Sequence, residues 1–392
     1  MKILQVHVFY TTSQTSGENS TVENISTYFA SYAHAETLIL KVAQKDIGFI
    51  KSFQHYLKMF RDYIFLIQNL HKFDVVFFHN QVPFIPAFFL KFSAKRTCVV
   101  KVWHNLRPFC IKGSAFRANQ NCWKCSRSRI RTLNALLYRC YRNSFWQTLA
   151  ALVSQSRLNS ILKSPNIYNV TVSDFLRDRL ITHGFDKSRV FSIQNAISNL
   201  EYSQPAGNDF IFMGRITEEK GIEKLLSAWV FFQKSYYGNQ KLHIVGDGPL
   251  LIKLRDAYQN SRTIFHGHLK HPEISQISRQ CKVGVIPNLW EEPFGKVALD
   301  FLSMGLLILA SRSGGISEIL SDDSGTEFIS SMEPELLAEQ MMRFSLRNQP
   351  TNYFQRENIL QSFSQEVASQ KWFQFLDFLT ESNSRDFRID LE

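Results

Sequence analysis

Residues 210–221 have the sequence FIFMGRITEEKG. The apolar residues at its start predict a buried strand of a parallel sheet, and Gly214 begins a turn into a helix. Two cations, Arg215 and Lys220, lie in this turn. The amide groups and dipole at a helix start attract anions, and Arg and Lys both bind phosphate oxygens. This strand–turn–helix unit therefore predicts a diphosphate site.

A second stretch, residues 292–300, has the sequence EPFGKVALD and also enters a predicted helix. It carries two carboxylates, Glu292 and Asp300. Gly295 allows a ligand to approach the backbone closely, and the amides of residues 294–296 are donors without a helical partner. Carboxylates bind sugar hydroxyls, whereas cations bind a diphosphate. Together the two stretches predict a pocket for a nucleotide-activated sugar.

Strand-like and helix-like runs alternate through the chain of 392 residues, which indicates a parallel α/β architecture with two domains. The predicted strands are residues 2–9, 37–40, 75–78, 98–103, 168–172, 190–193, 210–213, 242–245, 263–265, 283–287 and 307–310. The predicted helices include residues 53–70, 133–145, 222–232, 273–281 and 297–304. Residues 195–208 lack periodicity and form the predicted linker. In two doubly wound domains, ligands bind at the carboxyl ends of the strands, so we expect a central cleft.

The charge of the chain is unevenly distributed. The formal net charge is +11, and residues 75–173 contain fifteen Lys and Arg but no Asp or Glu. Such a field attracts anionic lipids, nucleic acid or a phosphorylated acceptor; a generic solubilising surface is the alternative. The first ten residues resemble a buried strand more than a signal peptide, and residues 75–90 are interrupted by His79 and two prolines rather than forming a membrane span.

Several motifs jointly resemble those of a retaining GT-B glycosyltransferase of the family 4 type, also called glycosyl transferases group 1. The match to this family covers the second half of the chain and extends into the first half. The motifs are Arg215 with Lys220, residues 245–250 (VGDGPL), 292–300 and 313–318 (SGGISE), with residues 79–80, 104–110, 172–176 and 194–197 upstream. The resemblance implies two Rossmann-like domains: an acceptor domain at residues 1–198 and a donor domain at 199–370. A terminal helix at residues 371–392 would pack on the first domain.

The resemblance also implies a role for each matched residue. Glu292 would bind the hydroxyls of the donor sugar with help from the amides of Phe294, Gly295 and Lys296. Arg215 and Lys220 would hold the diphosphate, and Asp300 would bind the ribose. The remaining implied contacts are His268 and Leu269 at the base, His104 facing the sugar across the cleft, and Gly17 in the loop after the first strand.

Two positions depart from the family pattern. Asp300 stands where Glu is usual, so its contact with ribose is expected to be weaker or water-mediated. Ser16 stands where Gly is usual, which limits the approach of that loop to phosphate. The sequence contains no Asp-x-Asp, which fits cations rather than a metal at the diphosphate. We therefore expect a metal-independent hexosyltransferase, and the family resemblance implies that it retains anomeric configuration.

Six cysteines occur, and four of them, Cys110, Cys122, Cys125 and Cys140, could together supply thiolates to a structural zinc ion. The surrounding basic residues favour thiolates. The spacing is not the usual doubled pair, however, so buried free thiols are the alternative. Without a signal peptide, a reduced cytoplasmic state is expected.

The leading functional hypothesis is transfer of a hexose-type sugar to a polysaccharide or lipid-linked acceptor, in the cytoplasm or peripherally on the inner face of the membrane. An anionic membrane surface is an expected partner, and nucleic acid is not, because no nucleic-acid motif accompanies the charge. One alternative is an inactive transferase scaffold that binds an anionic surface or nucleic acid. Another is a sugar-nucleotide epimerase, which would leave the sugar on the nucleotide.

Overall fold

A computed structural model describes residues 1–10, 17–32, 36–44, 61, 64, 68–79, 97–127, 131–197, 206–235, 238–347 and 353–389. The chain forms two compact units. The first comprises Met1–Gly113, Trp123–Ala196 and Glu366–Glu392, and the second comprises Ser114–Cys122 and Ile197–Gln365. The sequence prediction divided the chain after residues 198 and 370 instead.

The first unit is built on a parallel sheet with the strand order β2-β1-β3-β4-β7-β8, and a separate antiparallel hairpin, β5-β6, belongs to the second unit. These strands are β1 (Lys2–Tyr10), β2 (Glu36–Gln44), β3 (Val75–Phe78), β4 (Cys98–Trp103), β5 (Phe116–Arg117), β6 (Gln120–Asn121), β7 (Ile167–Thr171) and β8 (Val190–Ser192). Every residue of β3, β4 and β7 is buried, as expected for central strands with both faces covered.

Among the described residues, the helices before the second unit's sheet are α1 (Gly17–Ser31), α2 (Lys124–Arg127), α3 (Arg131–Leu137), α4 (Phe145–Leu162) and α5 (Asp174–Thr182). Helix α1 buries Val22, Ile25 and Phe29, whose helical spacing forms one apolar stripe. The α1 stripe packs in a core with Phe77 of β3 and with Trp372 near the end of the chain.

The second unit contains a parallel sheet with the strand order β11-β10-β9-β12-β13-β14. Its strands are β9 (Asp209–Met213), β10 (Leu242–Val245), β11 (Thr263–Gly267), β12 (Cys281–Ile286), β13 (Leu307–Ala310) and β14 (Thr326–Phe328). The remaining helices are α6 (Ile222–Ser235), α7 (Leu251–Tyr258), α8 (His271–Ser278), α9 (Lys296–Ser303), α10 (Ile316–Ile319), α11 (Pro334–Ser345), α12 (Tyr353–Ser362) and α13 (Gln365–Ile389).

Short 3₁₀ turns occur at Leu70–Lys72, Lys187–Arg189, Glu218–Lys220 and Asp322–Ser324. Because all strands of each six-stranded sheet are parallel, their carboxyl ends share one edge. The loops after β9, β11 and β12 therefore leave the same edge of the second sheet, and the loops after β1, β3 and β4 leave the same edge of the first. No helix among the described residues combines the length and apolar character needed to cross a bilayer.

The structure corrects one helix prediction. A single helix was predicted for residues 133–145, but α3 ends at Leu137 and α4 begins at Phe145. Between them Arg139, Arg142 and Asn143 have φ angles of 45°, 53° and 53°. This left-handed conformation is incompatible with a continuous right-handed helix. Most of the helix predicted for residues 53–70 lies outside the described residues, as do linker positions 198–205.

Candidate active site

The Glu292 carboxylate lies in the loop between β12 and α9 and is held by three donors. Lys220 Nζ, Asn288 Nδ2 and Trp290 Nε1 approach Glu292 Oε2 at 2.5, 2.8 and 3.1 Å. The side chains of Lys220 and Glu292 are 16% and 14% exposed. No described residue donates to Oε1, so this oxygen can accept hydrogen bonds from the hydroxyls of a ligand.

The backbone of Glu292 is fixed by the loop that follows β13. Gly315 N donates to Glu292 O at 2.8 Å, and Glu292 N donates to Ser313 Oγ at 3.2 Å. Gly314 has a φ of 51°, and a Cβ at this position would lie 2.3 Å from Glu292 O. Only glycine fits such a close approach. The predicted SGGISE motif thus positions the backbone of Glu292.

Lys220 is positioned at the end of the 3₁₀ turn that follows β9. Its ammonium lies 5.3 Å from the centre of the Trp290 ring, and the next residue, Gly221, has a φ of 69°. A Cβ on Gly221 would lie 1.8 Å from Pro287 O. Leu289 N also donates to Glu219 O at 2.9 Å. The Lys220 turn and the Glu292 loop are therefore in direct backbone contact.

Arg215 leaves the same strand end as Lys220, but its side chain is exposed. No hydrogen bond or ion pair joins the Arg215 guanidinium to Glu292 among the described residues. The structure thus brings Lys220 and Glu292 into contact and leaves Arg215 in solvent at the exit of β9. An exposed guanidinium can still bind an anion bidentately.

Helix α9 begins where the sequence predicted an amide-rich site. Gly295 has a φ of 97°, and a Cβ there would lie 2.4 Å from Ile316 Cγ1. Phe294 is buried and its ring packs on Phe363 at a centroid distance of 5.9 Å, so only its backbone is suited to a ligand. Lys296 is the first residue of α9, and the first amides of a helix have no acceptor within it.

Asp300 lies one turn inside α9 and is half-buried. Burial raises the pKa of its carboxyl, and the charges of Lys296 and His271 act in the opposite direction. His271 begins α8, just after His268 and Leu269, so Asp300 lies near the segment that was predicted to line the base pocket. His268 is exposed and Leu269 is half-buried.

In the first unit, His104 follows β4 and stacks on His79, which follows β3; the ring centroids are 5.5 Å apart. His79 Nε2 lies 3.0 Å from Gln5 Oε1, and His79 Nδ1 lies 3.3 Å from His104 Nε2. Gln5 Nε2 donates to Ser26 Oγ at 2.8 Å, which turns the amide oxygen towards His79. His79 Nε2 must therefore donate, and its Nδ1 must accept from His104 Nε2.

These hydrogen bonds form a relay from Gln5 through His79 to His104. Because His104 Nε2 carries the proton in this relay, Nδ1 of a neutral His104 is the nitrogen that can accept a hydrogen bond. Burial, and then the charges of His7 and Lys101, hold the His104 pKa well below its ordinary value, so the imidazole is neutral at pH 7. A neutral imidazole with a fixed tautomer can accept a hydrogen bond from a hydroxyl group.

Another titratable group of the first unit is Glu18, next to Gly17; the residue is half-buried and its Oε1 atom is shielded from solvent. Burial raises the Glu18 pKa to about 7, against the charges of Arg107 and Lys101. Burial also lowers the pKa of Lys101 to about 7, and Lys101 Nζ donates to His79 O at 2.9 Å. Gly17 is the first residue of α1 rather than part of a loop, and a Cβ there would meet nothing within 4 Å.

We expect Glu18→Gln to change how stability depends on pH. The folded chain holds the Glu18 proton more tightly than the unfolded chain, so this stabilisation is complete below pH 4.5, the ordinary pKa, and is lost as the pH rises through about 7. Relative to the wild type, Glu18→Gln should become more stable between these pH values, by at most about 3 kcal/mol. Urea unfolding at several pH values measures this difference. Parallel stability curves would contradict it.

Glu23→Gln is the matched control for this experiment. Glu23 lies on the same helix and is exposed, so its substitution removes an acid from α1 without removing a buried one. The pH-dependent gain should therefore be confined to Glu18→Gln.

The structure does not support the predicted zinc site. No group of three or more His, Cys, Asp or Glu that could hold a metal ion occurs among the described residues, which include all four cysteines. None of these four described cysteines forms a disulfide. Cys125 and Cys140 pack against the apolar cluster of Ile111, Ala135 and Ala151, whereas Cys122 N donates to Ala115 O at the hairpin. Cys125 and Cys140 therefore serve in packing, and Cys122 serves in the hairpin.

Sequence reasoning missed Asn288 and Trp290 as partners of Glu292, and Gln5 as the residue that fixes the histidine tautomers. Asn288 and Trp290 directly follow the residues predicted as a strand, which is a usable signal for a site residue. Gln5 lies inside β1, and a polar residue within a buried apolar strand is the corresponding signal.

Comparison with known proteins places this geometry in a known fold. Residues 200–359 match the family model described as "Glycosyl transferases group 1". An uncharacterised glycosyltransferase of Methanocaldococcus jannaschii is 31% identical over 132 residues, covering 33% of each chain. The sulfoquinovosyl transferase SQD2 of Arabidopsis thaliana is 31% identical over 133 residues, covering 34% of this chain and 25% of that protein. The chain thus spans about a third or less of the length of these curated relatives.

Solved structures extend the similarity to the whole chain. The structure of Anabaena HepE in complex with UDP superposes with a TM-score of 0.64 at 16% identity, covering 96% of this chain and 100% of that one. The two parallel α/β units are therefore those of the GT-B fold, and the second unit contains the segment that matches the glycosyl transferases group 1 domain.

Proposed function

We propose that this chain is a glycosyltransferase that moves a hexose-type sugar from a nucleotide diphosphate to a polysaccharide or lipid-linked acceptor, with retention of anomeric configuration. The observation that carries the proposal is the Glu292 carboxylate. Three donors, Lys220 among them, hold its Oε2 in place, and it lies within the segment that matches glycosyl transferases group 1.

In this proposal the second unit binds the donor. Glu292 Oε1 accepts hydrogen bonds from the sugar hydroxyls. The backbone amides at the start of α9 donate hydrogen bonds to the same sugar. Lys220 and Arg215 bind the diphosphate, where negative charge accumulates as the glycosidic bond breaks. Asp300 binds the ribose, and the backbone of His268 and Leu269 lines the base.

Lys220 is well suited to couple the two parts of the donor. Its ammonium carries three hydrogen-bond donors, and only one is directed at Glu292. A diphosphate oxygen can accept another, so one cation would connect the sugar-binding carboxylate to the leaving group. Such cations do the work that a divalent ion performs in enzymes with an Asp-x-Asp pair, a pair that this sequence lacks.

Residues of the first unit have proposed roles as well. His104 presents an acceptor nitrogen through the Gln5–His79 relay, which suits a contact with a donor-sugar hydroxyl. Gly17 opens α1 with room around its Cα, which suits a close approach of backbone to ligand. The UDP in the Anabaena HepE structure supports a nucleotide as the class of ligand.

A thermal-shift panel tests the proposal. A ligand that binds only the folded chain stabilises it by RT ln(1 + [L]/Kd), about 2.7 kcal/mol at a hundredfold excess over Kd. We expect one nucleoside diphosphate to raise Tm, and its sugar conjugate to raise Tm at least as much. The matching nucleoside without phosphates is the control and should have little effect. Equal shifts with nucleoside and diphosphate, or none, would contradict the proposal.

Product analysis separates transfer from the alternatives. Incubation with the sugar conjugate selected by this panel should release free nucleoside diphosphate, slowly without an acceptor and faster with one. An epimerase would leave the sugar attached to the nucleotide, and an inactive scaffold would release nothing. Mass spectrometry distinguishes these products.

A further inference from the structure

The first unit exposes an unusual number of large apolar side chains in one short segment. Leu137 and Trp146 are 67% and 75% exposed. We call this set the 133–153 face; its exposed apolar members are Leu133, Leu137, Tyr138, Phe145, Trp146 and Val153. They lie on α3, on the following turn and on α4, and α3 packs against α4. Exposed apolar residues clustered in this way indicate an interaction surface.

Helix α4 exposes apolar side chains along its first half and buries two polar ones. Thr148 and Gln155 are buried together with Ala151, Leu158 and Leu162. The exposed apolar residues Phe145, Trp146, Ala150 and Val153 lie in its first half, and the exposed residues after them are Ser156, Arg157 and Ser160. Arg157 is the only charged residue among its eighteen. The apolar first half of this exposed face is suited to an apolar partner rather than to water.

The turn between the two helices places positive charge beside these apolar residues. Arg139 and Arg142 are exposed and have left-handed φ angles of 45° and 53°. Lys124 adds a third cation, with Nζ 5.4 Å from the centre of the Tyr138 ring. No acidic residue occurs anywhere in residues 75–173, so no carboxylate in this part of the sequence offsets the positive charge.

We propose that the 133–153 face docks on the surface of an anionic lipid bilayer. Aromatic residues favour the headgroup region of a bilayer, leucine enters the outer acyl region, and each Arg near an anionic surface adds attraction. The 133–153 face offers all three kinds of interaction, because it combines exposed Trp, Phe and Leu with cations and has no acids. The donor-binding residues take no part in the docking.

Charge also argues against a second copy of the chain as the occupant. A two-fold interface brings the same patch of both copies together, so the arginines of one copy would face those of the other. A bilayer with anionic headgroups has the opposite charge and an apolar layer beneath the headgroups. It can therefore bind both the cations and the apolar side chains of the 133–153 face.

Vesicle co-sedimentation of the full chain tests the proposal. We compare phosphatidylcholine vesicles with vesicles in which about a third of the lipid is phosphatidylglycerol. The wild type should partition onto the anionic vesicles, and salt should weaken the binding. Arg139→Asn with Arg142→Asn should lower partitioning by roughly 25-fold, about fivefold per cation. Asn tolerates the left-handed backbone of both positions.

Trp146→Ser should lower partitioning by about tenfold, because a large apolar side chain no longer enters the interface. Its matched control is Ile252→Ser, and the control for the arginines is Arg255→Gln. Both control residues are exposed on α7 of the second unit. The controls should bind as the wild type does, and thermal melts should show that all variants are folded.

Three results would overturn the proposal: equal partitioning onto neutral and anionic vesicles, full binding by the variants, or absence of vesicle binding. A dimer that Trp146→Ser dissociates, in a chain that ignores vesicles, would identify a second copy as the occupant and also overturn it. Neither donor nor acceptor is present in this assay, so its failure leaves the proposed sugar transfer unaffected.

Discussion

Glu292→Gln is expected to lower the rate of nucleoside diphosphate release from the donor by about two to three orders of magnitude. The amide keeps the shape of the side chain, but it removes the negative charge that Lys220 contacts at 2.5 Å. It also weakens Glu292 as an acceptor for sugar hydroxyls, because hydrogen bonds to ionised groups are roughly twice as strong as neutral ones. Release is measured under saturating donor.

The matched control is Glu218→Gln, an exposed acid at the start of the turn that carries Lys220. It lowers the local negative charge by the same amount without touching Glu292, so its activity should stay close to that of the wild type. Near-normal activity of Glu292→Gln, or an equal loss in both variants, would refute the assigned role of Glu292.

Gly221→Ala is expected to destabilise the second unit by about 2–4 kcal/mol and to abolish donor binding. Gly221 has a φ of 69°, and an added Cβ would lie 1.8 Å from Pro287 O. The contact is with backbone, so relief requires the Lys220 turn to move away from the loop that leads to Glu292. The free energy of unfolding in urea and a donor titration measure the two effects.

Gly267→Ala separates backbone strain from collision. Gly267 has a φ of 70°, almost the same as that of Gly221, but a Cβ there meets nothing within 4 Å. Its substitution should therefore cost only the strain of the left-handed backbone, about 1 kcal/mol. A loss of stability as large as that of Gly221→Ala would show that strain alone explains the effect and that the Pro287 contact is unimportant.

The central strands of both sheets could be predicted closely because they are continuous apolar runs bounded by polar turns. The predictions for β3, β4, β10 and β13 have the observed bounds. Short elements were missed. The β5-β6 hairpin turns at Ala118 and Asn119 with φ angles of 50° and 56°, and no glycine marks that turn.

The helix predicted across residues 133–145 was wrong for a related reason. The chain reverses through Arg139, Arg142 and Asn143, all in the left-handed conformation. Arginine gives no signal for such a turn, and Asn143 is the one residue of the three whose type favours it. Tertiary contacts of α3 and α4, which sequence periodicity does not encode, must hold this conformation.

The chemistry of the site followed from residue types, but its contacts did not. The motifs predicted that Lys220 and Glu292 serve one pocket, yet they are 72 positions apart, and only the fold shows that they touch. The sequence predicted the same role, diphosphate binding, for Arg215 and Lys220. In the structure the side chain of Arg215 is exposed, whereas that of Lys220 is largely buried. The Gln5–His79–His104 relay depends on neighbouring strands and could not be derived from any one motif.

Calorimetric titration of wild type and Glu292→Gln tests the central claim most directly, with the nucleoside diphosphate selected by thermal shift and with its sugar conjugate. If Glu292 binds the sugar, the substitution should lower the affinity for the sugar conjugate by about tenfold or more. The affinity for the nucleoside diphosphate should stay nearly unchanged. An equal loss for both ligands, or no loss for the conjugate, would show that Glu292 does not bind the sugar and would contradict the account.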